Sequence, residues 1–313
     1  MSTTVETGIP RTAINELTQG NEPLSRHTTM RVGGPARWWA TPQNEAEIIA
    51  VLHVVQSDRL PLRVLGAGSN LVASDDGFDG VVLKLGKGFA WQRVEGHRLV
   101  TGGATLLPKL THFAIKSRLG NFEWACGIPG SVGGSIWGNA GARGFNGQGF
   151  ESRDAAADLE AVVAYDRSGQ RHELRRDEIE FSYRRSSLGE LIVTEATFAL
   201  KPLSETEAAS HREAVEALLK KRRDTQPVNA ASAGCIWKNP RLEGCHGAGE
   251  LIDRLGLKGH VYGGAAISEV HANFIVNTSS ATGTDVRALM REVEDRVMQE
   301  TGVRLEREVR LLD

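Results

Sequence analysis

The chain has no long apolar run, no large block of like charge and only three cysteines among its 313 residues. No segment approaches the roughly 20 apolar residues of a membrane-spanning helix, and the polar stretch 1–22 lacks the apolar region of a signal peptide. Three cysteines cannot build a disulfide framework, and an odd, low number is typical of a reducing compartment. We therefore expect a cytoplasmic protein that is not bound to a membrane.

The net charge and the spacing of possible metal ligands argue against two further classes of protein, those that bind nucleic acid and those that bind a metal ion. The formal net charge is −2, so a nucleic-acid partner is not expected. The one tight basic cluster, 220–223, falls at a predicted helix end, where cations complement the helix dipole. Cys245 and His246 have no second pair at ligand spacing, so we expect no metal site. Nothing in the sequence indicates an obligate protein partner.

Helical and strand patterns alternate along the chain, which predicts the mixed α+β class, and 313 residues are enough for two or three domains. We expect capped helices after Asn44 and after Ser204, because an acidic residue follows each of them three positions later. Further expected elements are a helix over 105–118, strands over 62–65, 81–85 and 191–200, a hairpin of 159–165 with 171–174, a helix over 284–300 ended by Gly302, and a strand over 308–312.

The segment 126–142 is the most informative part of the chain. Seven glycines lie between Gly127 and Gly144. Such a stretch loses much backbone entropy on folding, and the usual reason is close approach of the backbone to a flat group or a phosphate. Pro129 could begin a helix with Gly130 and Ser131 in its first turn. Because helix N-termini bind anions, this segment favours a bound cofactor.

A second glycine loop, 66–70, directly follows a predicted strand. Free backbone amides in such a loop can hold a phosphate. The loop lacks the third glycine of a dinucleotide fingerprint, since position 71 is leucine, and it lacks the Gly-Lys-Ser/Thr of a P-loop. Taken alone, it is equally well explained as a tight turn. Together, the two loops suggest one diphosphate held from both sides.

Four further residues carry no functional claim by composition alone. Arg184 would ordinarily be a surface charge, and Glu308, on the same face of its predicted strand as Arg310, would ordinarily be exposed. Cys235 would ordinarily be a small buried apolar residue. His271 is most simply a hydrogen-bonded structural histidine.

From Asn21 to the C-terminus, the chain resembles the UDP-N-acetylenolpyruvoylglucosamine reductase (MurB) family. The motifs that carry this resemblance occur in the family's order at residues 28–34, 66–70, 127–134, 139–141, 182–184, 233–240, 271–277 and 308–310. The short region between Arg184 and Lys201 is similar to the type II branch of the family.

The resemblance implies a two-part FAD-binding domain of the vanillyl-alcohol-oxidase/PCMH type followed by a C-terminal α+β substrate-binding domain. The expected boundaries are a disordered tail over 1–20, FAD-binding subdomains over 21–86 and 87–203, and a substrate-binding domain over 204–313. The implied reaction is reduction of UDP-N-acetylglucosamine enolpyruvate to UDP-N-acetylmuramate in peptidoglycan synthesis. NADPH is the hydride donor, and noncovalently bound FAD carries the hydride to C3 of the vinyl group.

The resemblance also implies roles for individual residues. An enol ether is electron-rich, so the substrate carboxylate must accept the developing negative charge. The resemblance implies that Arg184 and Glu308 stabilise that charge. Glu308 helps only if it is protonated, which requires a raised pKa. Cys235 occupies the position where most relatives carry the serine that protonates C2. A thiol, with a reference pKa of about 8.5, can donate that proton and is open to alkylation.

The remaining implied residues bind ligands. Those expected at the cofactor are Gly66, Gly68, Ser69, Asn70, Gly130, Ser131, Gly133 and Gly134. Those expected at the substrate are Arg223, Lys238 and Asn239. Two alternatives remain open: a different FAD oxidoreductase on the same scaffold, and a non-catalytic nucleotide-binding module.

Overall fold

The fold is built around three larger sheets that follow one another along the chain. The computed structural model describes residues 12–240 and 244–313. Within these residues, none of the helices is both long enough and apolar enough to cross a membrane. The same residues contain no cluster of three or more His, Cys, Asp or Glu side chains that could hold a metal ion.

The first part is a mixed sheet with a helix packed on it. Its elements are α1 (Thr12–Leu17), β1 (Gln19–Pro23), β2 (Pro35–Ala40), α2 (Glu45–Ser57), β3 (Leu62–Val64), β4 (Leu71–Ala73) and β5 (Phe78–Leu83). The sheet has the order β1-β2-β5-β3, with β2 and β3 both parallel to β5. The expected cap is confirmed, since Asn44 Oδ1 accepts a hydrogen bond from the Glu47 amide at 3.0 Å. Parallel β3 and β5 bring the loop after β3 to one edge of the sheet.

The second part is dominated by an antiparallel sheet of order β12-β11-β15-β7-β6. Its elements are β6 (Gln92–Glu95), β7 (Arg98–Gly102), α3 (Leu107–Lys116), β8 (Leu119–Gly120), α4 (Val132–Trp137), β9 (Gly141–Phe145), β10 (Phe150–Asp154), β11 (Leu159–Tyr165), β12 (Arg171–Arg175), β13 (Phe181–Ser182), β14 (Arg185–Ser186), β15 (Ile192–Ala199) and β16 (Lys201–Pro202). The predicted hairpin is confirmed as β11 and β12. The short helix α4 packs against β15 and carries the glycine-rich segment onto this sheet.

The third part combines a small antiparallel sheet with three helices. Its elements are α5 (Glu205–Thr225), β17 (Ala231–Cys235), α6 (Ala248–Arg254), β18 (Val261–Tyr262), β19 (Ala265–Ile267), β20 (Phe274–Asn277), α7 (Gly283–Thr301) and β21 (Arg310–Leu312). The capping box of α5 is confirmed, with Ser204 Oγ accepting from the Glu207 amide at 3.2 Å. Gly302 ends α7 in the left-handed conformation, as expected. Helix α5 packs on α3, β8 and β9 of the second part, and the domain boundary at residue 204 stays a prediction.

The third part is fastened to the first through backbone and side-chain contacts. Strand β21 pairs in parallel with β4. The carboxylate of Asp75 accepts hydrogen bonds from the amides of Gly283 and Thr284 at 2.6 and 2.8 Å, at the start of α7. Met30, Val32 and Val72 are buried in the core of the third part. The last strand is therefore held against the glycine loop that lies between β3 and β4.

Three local expectations differ from the structure. The tail predicted to be disordered covers 1–20, and its residues 1–11 lie outside the described residues. Within the rest of that tail, Thr12–Leu17 is helical and Ile14 is buried. Helix α4 begins at Val132, so Ser131 is its N-cap rather than a first-turn residue. Glu308 precedes β21, because its amide donates to the Ile236 carbonyl at 2.8 Å instead of joining the β4 pairing.

Candidate active site

The two glycine loops lie directly against each other. A Cβ atom placed on Gly66 would lie 2.7 Å from Ser131 Oγ and 3.6 Å from Gly134 Cα. Such close approach to Ser131 is possible because Gly66 has no side chain. Ser131 Oγ also accepts a hydrogen bond from the Gly134 amide at 3.4 Å. The loop after β3 and the start of α4 therefore form one continuous backbone surface between the first and second parts.

The backbone amides of loop 66–70 remain available to a ligand. Within the described parts of the chain, none of these five N–H groups donates a hydrogen bond to another residue. Gly68 has a φ of +68°, and a Cβ atom there would collide with the His27 carbonyl. This position therefore requires glycine for both its conformation and its packing. Successive free amides in a fixed loop provide the kind of donor set that binds a phosphate.

Two of the predicted cofactor residues, Gly130 and Gly133, lie where a side chain would meet a neighbouring group of the protein. The Gly133 amide donates to the Gly103 carbonyl at 2.9 Å, and a Cβ atom on Gly133 would lie 2.8 Å from the Val193 carbonyl oxygen. A Cβ atom on Gly130 would lie 2.8 Å from Ser135 Oγ. Gly133 lets α4 approach its neighbours closely, Gly130 leaves room for the Ser135 side chain of α4, and a direct ligand contact at either glycine stays a prediction.

Hydrogen bonds connect loop 66–70 and the neighbouring Thr29 to the third part. The Asn70 side chain donates through Nδ2 to the Glu308 carbonyl at 3.1 Å. Thr29 donates its amide to the Gly68 carbonyl at 3.0 Å and its hydroxyl to the Ser232 carbonyl at 2.6 Å. These bonds place Ser69 and Asn70 beside the segments that carry Cys235 and Glu308.

Arg184 and Glu308, far apart in sequence, form an ion pair. Arg184 occupies the two-residue turn between β13 and β14 and has a φ of +57°, a conformation that costs a non-glycine residue roughly 1 kcal/mol. Its Nε atom lies 2.6 Å from Glu308 Oε1, and its Nη1 atom donates to the Gly141 carbonyl at 3.1 Å. The buried Asn139 side chain supports this turn by donating to the Ser182 carbonyl at 3.0 Å.

The surroundings of Glu308 raise the pKa of its carboxyl group. Burial raises the pKa of the Glu308 carboxyl, and this effect exceeds the opposing influence of the Arg184 guanidinium. Only 12% of the Glu308 side chain is exposed. The pKa of Glu308 is therefore shifted in the direction that the implied chemistry requires.

Cys235 ends β17, close enough to this ion pair to interact with it electrostatically. Burial raises the pKa of the Cys235 thiol to about 12, and the negative charge of Glu308 raises it further, while Arg184 and Arg222 lower it. This pKa lies well above the reference value of about 8.5 used in the sequence-based expectation. The thiol is consequently protonated at neutral pH, which suits a proton donor but makes alkylation slow.

The three predicted substrate residues lie in different surroundings. The Lys238 ammonium forms an ion pair with Glu306. Asn239 Oδ1 accepts a hydrogen bond from the Ala248 amide at 3.1 Å, at the start of α6. Arg223 is exposed near the end of α5. Contact of any of them with substrate stays a prediction.

Arg222, which the sequence analysis did not single out, lies on the inner side of α5. A Cβ atom placed on Gly127 would lie 2.8 Å from Arg222 Cδ. Burial lowers the pKa of Arg222, and both Cys126 and Cys235 are close enough to raise it partly. Helical periodicity could have found this residue, because Arg222 follows the partly buried Leu218 and the buried Val215 along one helix face.

Comparison with known proteins adds an independent line of evidence. Residues 36–166 match the family model described as FAD binding domain. Residues 226–312 match the model of the UDP-N-acetylenolpyruvoylglucosamine reductase C-terminal domain.

Individual relatives extend this similarity over nearly the whole chain. The UDP-N-acetylenolpyruvoylglucosamine reductase 2 of Symbiobacterium thermophilum is 42% identical over 292 residues, which cover 93% of this chain and 90% of the relative. The corresponding reductase of Heliobacterium modesticaldum is 38% identical, with 93% and 89% covered. The crystal structure of the Thermus caldophilus reductase (MurB) is 36% identical, covers 95% of this chain and 99% of its own, and has a TM-score of 0.78.

These matches confirm the predicted fold class, a two-part FAD-binding domain of the vanillyl-alcohol-oxidase/PCMH type followed by an α+β C-terminal domain. The order of the family models along the sequence is the order of the parts in the structure. The chain belongs to the UDP-N-acetylenolpyruvoylglucosamine reductase family.

Proposed function

We propose that this protein catalyses the NADPH-dependent reduction of UDP-N-acetylglucosamine enolpyruvate to UDP-N-acetylmuramate, a step of peptidoglycan precursor synthesis. The curated relatives that share about 40% of its sequence carry the name of this reductase. The observation that carries the proposal is the Arg184–Glu308 pair, 2.6 Å apart, beside Cys235 and the two glycine loops. The proposal includes a cytoplasmic location, which the low cysteine content supports.

The residues between the first and second parts fit FAD. The free amides of loop 66–70, and the close approach of Gly66 to Ser131 and Gly134, provide a surface for its diphosphate. We propose Gly66, Gly68, Ser69, Asn70, Ser131 and Gly134 as the residues that hold it, with Gly130 and Gly133 shaping the start of α4. When bound, FAD supplies hydride transfer between NADPH and the substrate.

Arg184 and Glu308 are proposed to stabilise the negative charge that develops on the substrate carboxylate. Their positions are fixed before substrate binds, by Gly141 and Asn139 around Arg184 and by Ile236 and Asn70 around Glu308. Preorganised donors of this kind usually provide the largest single contribution to catalysis. A protonated Glu308 can share its proton with the substrate carboxylate instead of repelling it.

Cys235 is proposed to protonate C2 of the substrate. Its high pKa keeps the proton on sulfur at neutral pH, and the developing carbanionic charge at C2 is a strong enough base to remove it. The diphosphate of the substrate is proposed to meet Arg223, Lys238 and Asn239. The predicted boundaries 21–86, 87–203 and 204–313 are retained as the proposed FAD-binding and substrate-binding units.

A steady-state assay tests the function. NADPH oxidation by the purified yellow protein should depend on added UDP-N-acetylglucosamine enolpyruvate, and mass spectrometry should identify UDP-N-acetylmuramate as product. Flavin that NADPH reduces while this substrate stays unchanged would instead support a different FAD oxidoreductase. Ligand binding without any NADPH oxidation would support a non-catalytic nucleotide-binding module.

A further inference from the structure

The hairpin that carries Arg184 needs support from outside itself. Strands β13 and β14 have two residues each, and they pair as Phe181 with Ser186 and Ser182 with Arg185. An isolated two-stranded hairpin is at best marginally stable in water. Arg184, in the turn, has a φ of +57°. A strained residue persists where the surrounding structure fixes it, so contacts beyond the two strands must hold this turn.

The segment that ends α4 holds both strands of this hairpin. The Trp137 carbonyl accepts a hydrogen bond from Ser186 Oγ of β14 at 2.7 Å. The Asn139 side chain donates through Nδ2 to the Ser182 carbonyl of β13 at 3.0 Å. The same helix begins at its N-cap Ser131, in the glycine-rich surface proposed for the cofactor. Helix α4 therefore connects that surface directly to the hairpin of Arg184.

The side chain of Asn139 uses both its donor and its acceptor groups within the protein. Besides the Ser182 carbonyl, Nδ2 donates to Asp154 Oδ2 at 3.1 Å, and Oδ1 accepts from the Ala156 amide at 3.3 Å. Because a carbonyl can only accept and a backbone amide can only donate, these partners fix the orientation of the side-chain amide. Asn139 is 4% exposed and has a φ of +42°, a conformation that asparagine adopts more readily than most residues. Its position is therefore fixed by both backbone and side chain.

We propose that Asn139 is a positioning residue that acts through Arg184. By holding the Ser182 carbonyl, it fixes the turn from which the Arg184 guanidinium reaches Glu308 and the Gly141 carbonyl. This inference rests on the proposed function, in which Arg184 stabilises the charge that develops on the substrate carboxylate. A misplacement of about 1 Å can lower a rate roughly 10²-fold, so a residue can affect the reaction strongly through position alone.

Reoxidation of reduced FAD by saturating UDP-N-acetylglucosamine enolpyruvate, in a single turnover, tests the proposal. Asn139→Gly removes the side chain at a φ that suits glycine, and Asn139→Asp keeps the size but replaces the donor to Ser182 with an acceptor. Both variants should slow reoxidation about 10- to 10²-fold, while NADPH reduces their FAD at the parental rate.

Asn121→Gly is the matched control. Asn121 is also an asparagine with a positive φ, +77°, and its Oδ1 atom has no hydrogen-bond partner within the described parts of the chain. Asn121→Gly should therefore react at the parental rate in both half-reactions.

A combination with Arg184→Ala distinguishes positioning from a general loss of structure. If Asn139 acts through Arg184, adding Asn139→Gly to Arg184→Ala should slow reoxidation by less than about twofold further. The full additional slowing in the double variant would overturn the proposal, and so would a parental rate in the two single variants of Asn139.

Hydrogen–deuterium exchange of the FAD-loaded protein tests the same contact without substrate. The Ser187 amide donates to the Glu180 carbonyl at the base of the hairpin. Peptide 180–187 should exchange roughly two- to tenfold faster in both Asn139 variants than in the parent protein and Asn121→Gly. Unchanged exchange would overturn the proposal. A parent protein that this substrate does not reoxidise would refute the proposed function, and the exchange rates would still decide whether Asn139 holds the Arg184 turn.

Discussion

Nε of Arg184 lies 2.6 Å from Oε1 of Glu308, although the two residues are 124 positions apart in the chain. One residue occupies a strained turn of the second part, and the other precedes the last strand of the third part. Both side chains are mostly buried, with 26% and 12% of their surfaces exposed. The pair therefore forms only when these two parts are docked, so the chemistry proposed for it depends on how the parts are placed.

The protonation state of Glu308 should be visible in the pH dependence of turnover. Because burial raises the pKa of Glu308, its protonated form persists to higher pH than that of an ordinary glutamic acid, and kcat should fall as the pH rises through this raised pKa. Glu308→Gln should lose this limb of the kcat profile, with a rate lowered by about two orders of magnitude. The same limb persisting in Glu308→Gln would assign it to another group.

Cys235 should be required as a proton donor rather than as a packing residue. Cys235→Ala should lower kcat about 10²- to 10⁴-fold, the usual range for loss of a general acid, while reduction of FAD by NADPH stays normal. Cys235→Ser should recover part of the rate. Cys245→Ser, which changes a thiol bonded to the Gly247 carbonyl, is the control. Nearly full activity in Cys235→Ala would show that the proton comes from elsewhere.

Gly68 offers a test of the cofactor loop with a matched control. Gly68→Ala places a Cβ atom against the His27 carbonyl and should greatly weaken FAD retention, measured as flavin absorbance per protein after gel filtration. Gly96 has a nearly identical φ of +63°, but nothing lies within 4 Å of its Cβ position. Gly96→Ala should therefore cost only the roughly 1 kcal/mol of the left-handed conformation. Equal FAD retention in the two variants would argue against the close packing described for loop 66–70.

Asp75 should stabilise the docked third part in a pH-dependent manner. Although partial burial alone would raise the pKa of Asp75, hydrogen bonds from Thr284 and Gly283 lower it overall. A lowered folded-state pKa gives stability that is present above the unfolded pKa of about 3.9 and is lost as the pH falls through the folded value.

Urea unfolding can measure this contribution. Asp75→Asn should reduce the free energy of unfolding by about 0.3–1 kcal/mol at pH 7, the usual effect of losing a negative charge at a helix N-terminus, and by less at low pH. Asp76→Asn, at the exposed neighbouring position, is the control. A destabilisation of Asp75→Asn that does not shrink at acid pH would point to lost packing instead of lost charge.

Capping and turn residues predicted the helices and strands better than they predicted which side chains meet at the candidate active site. The caps at Asn44 and Ser204 and the stop at Gly302 depend on nearby residues, so the sequence contains all the information that they need. The placement of Cys235 beside Glu308 depends on docking between separate parts of the chain, and only the family resemblance suggested it. The same limit explains why Gly130 and Gly133 could not be recognised as packing glycines.

The basic end of α5 shows where more could have been inferred. Adjacent helical residues point about 100° apart, so only one of Arg222 and Arg223 can face inward. The resemblance pointed to Arg223, which is exposed in the structure, whereas the helix periodicity identifies Arg222 as the inward-facing residue. The raised pKa of Cys235 was beyond any sequence argument, because it depends on burial and on the charge of Glu308.

Anaerobic stopped-flow absorbance of the flavin would follow hydride transfer to the proposed substrate within a single turnover. Protein whose FAD has been reduced with NADPH is mixed with UDP-N-acetylglucosamine enolpyruvate, and the return of the oxidised flavin band is followed. Rapid reoxidation with one equivalent of UDP-N-acetylmuramate formed is expected, and it should be slowed about 10²- to 10³-fold in Arg184→Ala. Parent protein whose flavin NADPH reduces but this substrate does not reoxidise would show that the protein is not this reductase.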